Sequence, residues 1–134
     1  MTDLGTLGGT YSYGLAMNDL GQVAGGAGTA SGAGHAFRWT ASGGMRDLGT
    51  LPSGTYSTGY AINALGQVAG IASTATGAEH AFRWTLSGGM QDLGTIGGTY
   101  SYGFAINDLG QVAGYAGTAS GAYHAFRWTA SGGM

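Results

Sequence analysis

The sequence has no cysteine, no lysine and one proline, and only 7% of its residues carry a charge, against about a quarter in ordinary globular domains. The lack of cysteine excludes disulfides, thiolate nucleophiles and zinc–thiolate sites. Four arginines and six acidic residues give a formal net charge of −2, so we expect no basic surface for nucleic acid or an anionic membrane. No apolar run approaches the roughly 18–20 residues of a membrane-spanning helix. The N-terminal residues lack the basic-then-apolar layout of a signal peptide.

Glycine and apolar residues make up most of what is present. The 134 residues include 30 glycines, which together with the low charge would suit a disordered chain. However, 43% of the residues are hydrophobic, with three tryptophans, eight tyrosines and four phenylalanines. This is enough apolar surface for a hydrophobic core, so we expect a folded protein.

The whole chain consists of three copies of one unit, at residues 1–44, 45–89 and 90–134, without a linker or a second domain. The first and third units differ at six positions before Met134, which corresponds to the first residue of a further copy. The middle unit is one residue longer because Leu-Pro-Ser-Gly replaces Leu-Gly-Gly. Such near identity fits a recent duplication or a deliberately designed repeat protein.

The pattern within each unit predicts β-strands, because no helical stripe survives the density of glycine, threonine, tyrosine and valine. In the first unit we expect strands at residues 3–6, 13–18, 22–26 and 35–40, and a loose surface loop at 27–34. Asparagine followed three residues later by glycine predicts a type I turn between the second and third strands. This turn recurs in every unit, at Asn18 and Gly21, Asn63 and Gly66, and Asn107 and Gly110.

Four-stranded meanders of this length have the size of β-propeller blades, so we expect an all-β fold with three blades per chain. Three motifs recur in fixed order with small variations: Asp-Leu-Gly-Thr, Ala-Ile-Asn-x-x-Gly-Gln-Val-Ala-Gly and His-Ala-Phe-Arg-Trp. On these motifs the whole chain resembles the HAF repeat of bacterial proteins, named for the residues at 35–37, 80–82 and 124–126. The resemblance implies an extracellular or cell-surface location. It implies no activity, because the family is defined by its repeat.

A four-residue hairpin loop at residues 41–44 would place an arginine opposite an aspartate on the next strand. Opposite charges that face each other stabilise a strand pair by about 0.2–1 kcal/mol. The expected pairs are Arg38 with Asp47, Arg83 with Asp92, and Arg127 with Asp3. No aspartate follows Arg127, and Asp3 holds the repeat position of Asp47 and Asp92. We therefore predict that the N-terminal strand completes the last sheet, in the same molecule or in a neighbour.

Three blades are fewer than the four to eight of a usual propeller. Two chains would give six blades and three chains nine, through a heterologous contact that closes on itself. We therefore predict a homodimer or a homotrimer. The alternative is a monomeric threefold β fold, a trefoil or a prism. The tight hairpins within each unit favour the propeller, because trefoil strands are shared between a barrel and a cap.

No motif predicts catalysis, a metal or a cofactor. One histidine recurs per unit (His35, His80 and His124), but it shares a strand face with two large aromatic residues and supplies only one ligand. The turn lacks the alternating oxygen ligands of a calcium loop. Gly-x-Gly sequences open no helix after a strand, and no Gly-x-Ser-x-Gly motif occurs. Near-identical units also lack the distinct groups that catalysis needs, so we predict no enzyme.

Tyrosines among small polar residues remain as candidates for binding, because they make adaptable contact surfaces and stack on sugar rings. The candidate ligand surface consists of Tyr13, Tyr102, Tyr115 and Tyr123. The sequence thus predicts a non-enzymatic structural protein that assembles with itself. The alternative is a carbohydrate-binding module with three equivalent sites. No ligand is identified.

Overall fold

A computed structural model of residues 1–134 contains eleven strands in three antiparallel sheets, and neighbours in sequence pair in each sheet. Sheet 1 contains β1 (Gly8–Met17), β2 (Val23–Thr29), β3 (Gly34–Thr40) and β4 (Gly44–Asp47). Sheet 2 contains β5 (Ser57–Ile62), β6 (Val68–Ser73), β7 (Glu79–Thr85) and β8 (Gly89–Asp92). Sheet 3 contains only β9 (Ser101–Ile106), β10 (Val112–Gly117) and β11 (Tyr123–Trp128). The all-β fold of repeated meanders is confirmed. No helix suited to crossing a membrane is found.

A tight turn joins the first two strands of every sheet. In sheet 1 the amide of Gly21 donates to the carbonyl oxygen of Asn18 at 3.1 Å, and Gly21 has a φ of 76°. The side-chain oxygen of Asn18 accepts bonds from the amides of Leu20 at 3.1 Å and Gln22 at 3.0 Å. Asparagine therefore closes the turn with its short side chain, and glycine adopts the left-handed conformation at its end.

Strand boundaries differ from the prediction at two places. β1 begins at Gly8, and residues 3–6 belong to no strand of this chain. β2 continues to Thr29, so the expected loose loop is a short turn in which the Thr29 amide and hydroxyl both donate to Ala33, at 2.8 and 2.9 Å. Alanine and glycine have low β-propensity, so ladder bonds and packing must hold this part of the strand.

The hairpin between β3 and β4 has a register one residue away from the predicted one. Thr40 pairs with Gly44, so three residues and not four lie between the strands. Gly44 has a φ of 71°, a left-handed conformation that lets this residue continue the ladder as a bulge. The prediction included Gly44 in the loop, so every predicted cross-strand partner after this residue is shifted by one position.

This register separates the charges that the sequence paired. Arg38 lies opposite Arg46, and Arg83 lies opposite Gln91. A one-residue slip in an antiparallel pair changes every cross-strand partner, so the two predictions fail together. The two ion pairs of the chain join histidine and aspartate. The predicted pairs Arg38 with Asp47 and Arg83 with Asp92 are therefore wrong. Arg127 and Asp3 form no ion pair within one chain, and their pairing between copies stays a prediction.

The hydrophobic core lies between the sheets, each of which has two different faces. The aromatic face carries a valine, a phenylalanine and a tryptophan: Val23, Phe37 and Trp39; Val68, Phe82 and Trp84; Val112, Phe126 and Trp128. The alanine face carries two alanines and an arginine: Ala24, Ala36 and Arg38; Ala69, Ala81 and Arg83; Ala113, Ala125 and Arg127. The aromatic face of sheet 2 packs on the alanine face of sheet 1, and sheet 3 packs on sheet 2 in the same way. The three sheets are therefore stacked in a row, and sheets 2 and 3 each turn their aromatic face towards the preceding sheet.

Candidate functional site

Two faces at the ends of this row have no sheet packed on them. They are the aromatic face of sheet 1 and the alanine face of sheet 3, and we call them the open faces. The buried clusters join sheet 1 to sheet 2 and sheet 2 to sheet 3, and neither joins sheet 1 to sheet 3. The two inner junctions show which contacts hold one face to the other, and the open faces can be compared with them.

A buried serine links the backbones at each inner junction. The hydroxyl of Ser57 accepts a hydrogen bond from the amide of Ala36 at 2.8 Å and donates one to the carbonyl oxygen of Gly49. Ser101 makes the equivalent bonds between sheets 3 and 2. Both serines are buried. Each hydroxyl therefore supplies a hydrogen-bond partner for one backbone amide in the preceding sheet and for one carbonyl oxygen in the segment that follows that sheet.

The open faces carry the two separated halves of the serine link. Ser12, the counterpart of Ser57, is exposed, and its hydroxyl donates only to the carbonyl oxygen of Gly5, at 2.7 Å. On sheet 3 the strand position of Ala36 is taken by Ala125, and no serine bonds to its amide. Donor and acceptor are both present in the chain, on opposite ends of the row.

An asparagine bond also crosses each inner junction. The side-chain amide of Asn18 donates to the carbonyl oxygen of Asn63 at 2.9 Å, and that of Asn63 donates to Asn107 at 2.9 Å. The side-chain amide of Asn107 donates only to Gln111 in its own turn, at 2.9 Å. The side chain of Asn107 therefore has no bond to a following sheet. The carbonyl oxygen of Asn18, on sheet 1, likewise accepts no bond from the asparagine of a preceding sheet.

An arginine of the alanine face reaches across the same junctions. Arg38 donates to the carbonyl oxygen of Gly66 at 3.2 Å, and its guanidinium lies 5.0 Å from the ring centre of Trp84. Burial, and then the nearby charge of Arg46, lower the pKa of Arg38. The arginine of sheet 2 makes the same contacts with sheet 3, at 4.8 Å from the tryptophan ring. Arg127 is exposed and has neither contact.

The repeated aspartates pair with the repeated histidines. Nδ1 of His35 lies 2.9 Å from Oδ1 of Asp47, and the equivalent pair in sheet 2 has the same distance. In sequence the aspartate belongs to the following unit. His124 is exposed and has no carboxylate beside it, while Asp3 accepts a bond only from the amide of Gly5, at 2.9 Å. This pair too is divided between the ends of the row.

The N-terminal segment already has the shape of the segments that follow sheets 1 and 2. Gly5 has a φ of 84°, close to the 80° of Gly49 and the 79° of Gly94. The aspartate two residues before each glycine accepts a bond from the glycine amide in all three places. The segment is therefore preorganised although nothing in this chain pairs with residues 1–6 as a strand.

Apolar surface is distributed in the same way. The four alanines of the alanine faces in sheets 1 and 2 are fully buried, whereas Ala113 and Ala125 of sheet 3 are exposed. On sheet 1 a groove of about 340 Å³ is lined in part by Leu15, Met17 and Val23. The valines that correspond to Val23 are fully buried in sheets 2 and 3. Both open faces therefore expose apolar side chains at positions that the inner junctions bury, although Phe37 of sheet 1 is itself buried.

Three of the four predicted ligand tyrosines lie together. The ring of Tyr115 lies 5.1 Å from that of Tyr102, 5.6 Å from that of Phe104 and 5.6 Å from that of Tyr123. Tyr13 is on sheet 1, away from this cluster. The first two units have no tyrosine at the positions of Tyr115 and Tyr123, so only sheet 3 has this cluster, and sugar stacking at these rings stays a prediction.

One tyrosine outside the predicted surface has a shifted acidity. The hydroxyl of Tyr56 donates to a carboxylate oxygen of Glu79 at 2.7 Å. This hydrogen bond, followed by burial and the carboxylate charge, raises the pKa of Tyr56 to about 12. Burial first, and then Glu79, also raise the pKa of Tyr102. Glu79 therefore contributes to the environments of both tyrosines, although Tyr56 is in its own unit and Tyr102 in the next.

The structure contains no group of three or more histidine and acidic side chains that could hold a metal ion. The residues that the sequence analysis missed are the serines and the histidine–aspartate pairs. Serine is frequent in this chain, so its repetition carried little signal, and the correct aspartate partner needed the correct hairpin register.

Comparisons with known proteins give no further indication. No family model matches the chain, and neither the curated proteins nor the solved structures contain a match to it. The resemblance to HAF repeats thus rests on the motifs alone.

Proposed function

We propose that this chain is a non-enzymatic structural protein whose copies join head to tail into a closed β-propeller. The alanine face of sheet 3 in one copy would receive the aromatic face of sheet 1 in the next. Residues 2–4 would become the fourth strand of sheet 3, which has three strands within one chain. Two copies give six blades and three give nine.

The observation that carries this proposal is the division of four recurring contacts between the two ends of the row. Four contacts recur at both inner junctions or their sheets: the serine link, the asparagine bond, the arginine–tryptophan stack and the histidine–aspartate pair. Sheet 3 has one half of each, and the region from Asp3 to Trp39 has the other half. Unpaired polar groups and exposed apolar surface on both halves favour their association.

A heterologous contact of this kind propagates, and it ends only when a ring closes or a fibre forms. Both inner junctions share the serine, asparagine and arginine contacts, so we expect each sheet to be turned against its predecessor in a similar way. Equal turns about one axis favour a ring. A ring also covers the unpaired edge of sheet 3, which an open end would leave exposed.

A designed disulfide tests the proposed contact, because the chain has no cysteine of its own. In sheet 1 Arg38 lies directly opposite Arg46, and the corresponding residues at the proposed contact are Arg127 and Thr2. Thr2→Cys combined with Arg127→Cys should form a bond between chains under mild oxidation and give covalent dimers or trimers. Arg38→Cys with Arg46→Cys is the matched control and should close within one chain.

The outcomes separate the alternatives. Covalent oligomers support head-to-tail assembly. A bond within one chain would support the monomeric threefold fold. No bond between positions 2 and 127, while the control pair oxidises, would overturn the contact in either form.

The aromatic cluster of sheet 3 supports a second candidate, a carbohydrate-binding module, because exposed rings can stack on sugars. Its three sites would not be equivalent, since the second unit has Thr58 where the others have Tyr13 and Tyr102. A glycan screen with Tyr13→Ala and Tyr102→Ala as controls tests it, and binding that both substitutions abolish would support it. Uniformly negative binding would exclude it.

A further inference from the structure

The proposed contact between copies differs from the inner junctions in one physical respect. The sheets of an inner junction are joined by the chain, whereas separate copies must also offset the freedom they lose on association. Aromatic side chains that fill the centre of an interface usually supply most of that binding energy. We infer that Tyr115 and Tyr123 of one copy form an aromatic anchor for Tyr13 of the next, and this inference rests on the proposed head-to-tail assembly.

The inner junctions show where Tyr13 would point. Its counterpart in sheet 2 is Thr58, and a Cβ atom on Gly26 of sheet 1 would lie 3.5 Å from the methyl carbon of Thr58. In sheet 3, Phe104 near the end of β9 contacts Tyr60 of sheet 2, with ring centres 5.3 Å apart. Thr58 of a first strand therefore reaches the position of Gly26 on the preceding sheet, and Phe104 reaches the first strand of its preceding sheet.

That position changes in size from sheet to sheet. It is Gly26 in sheet 1, Ile71 in sheet 2 and Tyr115 in sheet 3. The repeat position of Thr58, which faces Gly26, is occupied by Tyr102 in the third unit and by Tyr13 in the first unit. At this pair of positions, two aromatic residues would therefore meet only at the contact between copies.

The exposure of these rings fits an unfilled contact. Tyr115 is 36% exposed, Tyr123 67% and Tyr13 57%, although all three lie in or beside sheet positions. Tyr115 is held by Tyr102, Phe104 and Tyr123 at ring distances of 5.1–5.6 Å, so its orientation is set before a partner arrives. Rigid rings in a set orientation lose little entropy on binding.

Substitutions taken from the other units test the anchor without straining the backbone. Tyr115→Gly with Tyr123→Gly restores the residues that unit 1 has as Gly26 and Gly34, and Tyr13→Thr restores the residue of unit 2. Each set should raise the dissociation constant of the assembly roughly tenfold or more, measured by sedimentation equilibrium. Far-ultraviolet circular dichroism checks that the monomers remain folded. Leu65→Ala, which removes an exposed turn leucine of the middle unit, is the control and should not change the constant.

Combining both sets distinguishes contact from general loss of apolar surface. If Tyr13 touches the anchor, the dissociation constant of the combined variant should be no higher than that of the single set with the larger effect. Effects that multiply, or an unchanged constant in either set, would overturn the anchor and leave the assembly itself intact. Loss of glycan binding without loss of assembly would also overturn it, in favour of a sugar platform. A wild-type chain that stays monomeric would overturn the proposed function and the anchor together.

Discussion

The inner junctions and the open faces carry equivalent residues, and several of these residues are buried or bonded at the junctions but exposed or unpartnered on the open faces. Ser57 and Ser101 are buried and bonded on both sides, whereas Ser12 is exposed and has one bond. Asn63 donates across its junction, whereas Asn107 donates within its own turn. The contrast indicates that the open faces are not ordinary surface, because ordinary surface does not repeat the donor and acceptor pattern of a core.

The same contrast separates folding from assembly. A substitution at an inner junction should lower the stability of a single chain, while its counterpart on an open face should weaken only the contact between chains. Matched pairs of residues in the repeats allow each contact to be tested in both settings.

The largest effect is expected from removing residues 1–6. Without them sheet 3 keeps an unpaired edge, and both Asp3 and the Gly5 carbonyl are lost from the proposed contact. The truncated chain should sediment as a monomer. Thr2→Gln, which introduces the residue of the third unit, is the control and should assemble normally. Unchanged mass and melting temperature after truncation would refute the pairing of the N-terminal segment with sheet 3.

The serine link should give the next largest effect. Ser57→Ala leaves the buried amide of Ala36 without an acceptor, which costs about 1–3 kcal/mol of unfolding free energy. Ser12→Ala should leave the stability of the isolated chain within about 0.5 kcal/mol, as exposed substitutions do, and should weaken assembly. Urea unfolding of dilute protein measures the first and sedimentation the second. Equal losses of monomer stability in both variants would contradict the comparison.

The arginine stack should give a smaller effect. Arg83→Met removes the carbonyl bond to Gly110 and the stack on Trp128, with an expected loss of about 0.5–2 kcal/mol. Arg127→Met should leave the thermal unfolding of the dilute chain unchanged and raise its dissociation constant. If Arg127→Met destabilised the isolated chain as much as Arg83→Met, sheet 3 would not have an open alanine face.

The smallest effect is a pH dependence of stability from the hydrogen bond between Tyr56 and Glu79. The pKa of Tyr56 is raised to about 12 from 10.0, so folding favours its neutral form. The stability from this bond is present below pH 10 and is lost as the pH rises towards 12. Relative to wild type, Tyr56→Phe should lose less stability over this interval, whereas Tyr100→Phe, at the same position of unit 3, should behave like wild type. Parallel curves for wild type and Tyr56→Phe would contradict the assignment.

The sequence predicted the repeat, the strand content and the position of the asparagine turn. These follow from local rules, because a turn such as Asn18–Gly21 uses its own side chain and one left-handed glycine. The predicted pairs Arg38 with Asp47 and Arg83 with Asp92 were wrong because the conformation of the glycine before the fourth strand decides whether three or four residues separate two strands. That choice moves every later partner, and composition does not reveal it.

The contacts between sheets were not predictable in the same way. Nothing in the sequence distinguishes Ser57 from the other serines until the sheets are stacked, since its partners are 21 and 8 residues away. The opposition of alanine and aromatic faces likewise depends on how sheets follow one another. Strand alternation defined the faces, and only tertiary packing assigned each face its partner.

The most direct test of head-to-tail assembly is the mass of the untagged chain in solution, by native mass spectrometry at micromolar concentration. The account predicts a single species at two or three times 13.3 kDa. A species of 13.3 kDa that persists as the concentration rises would contradict it, because the open faces would then have remained open.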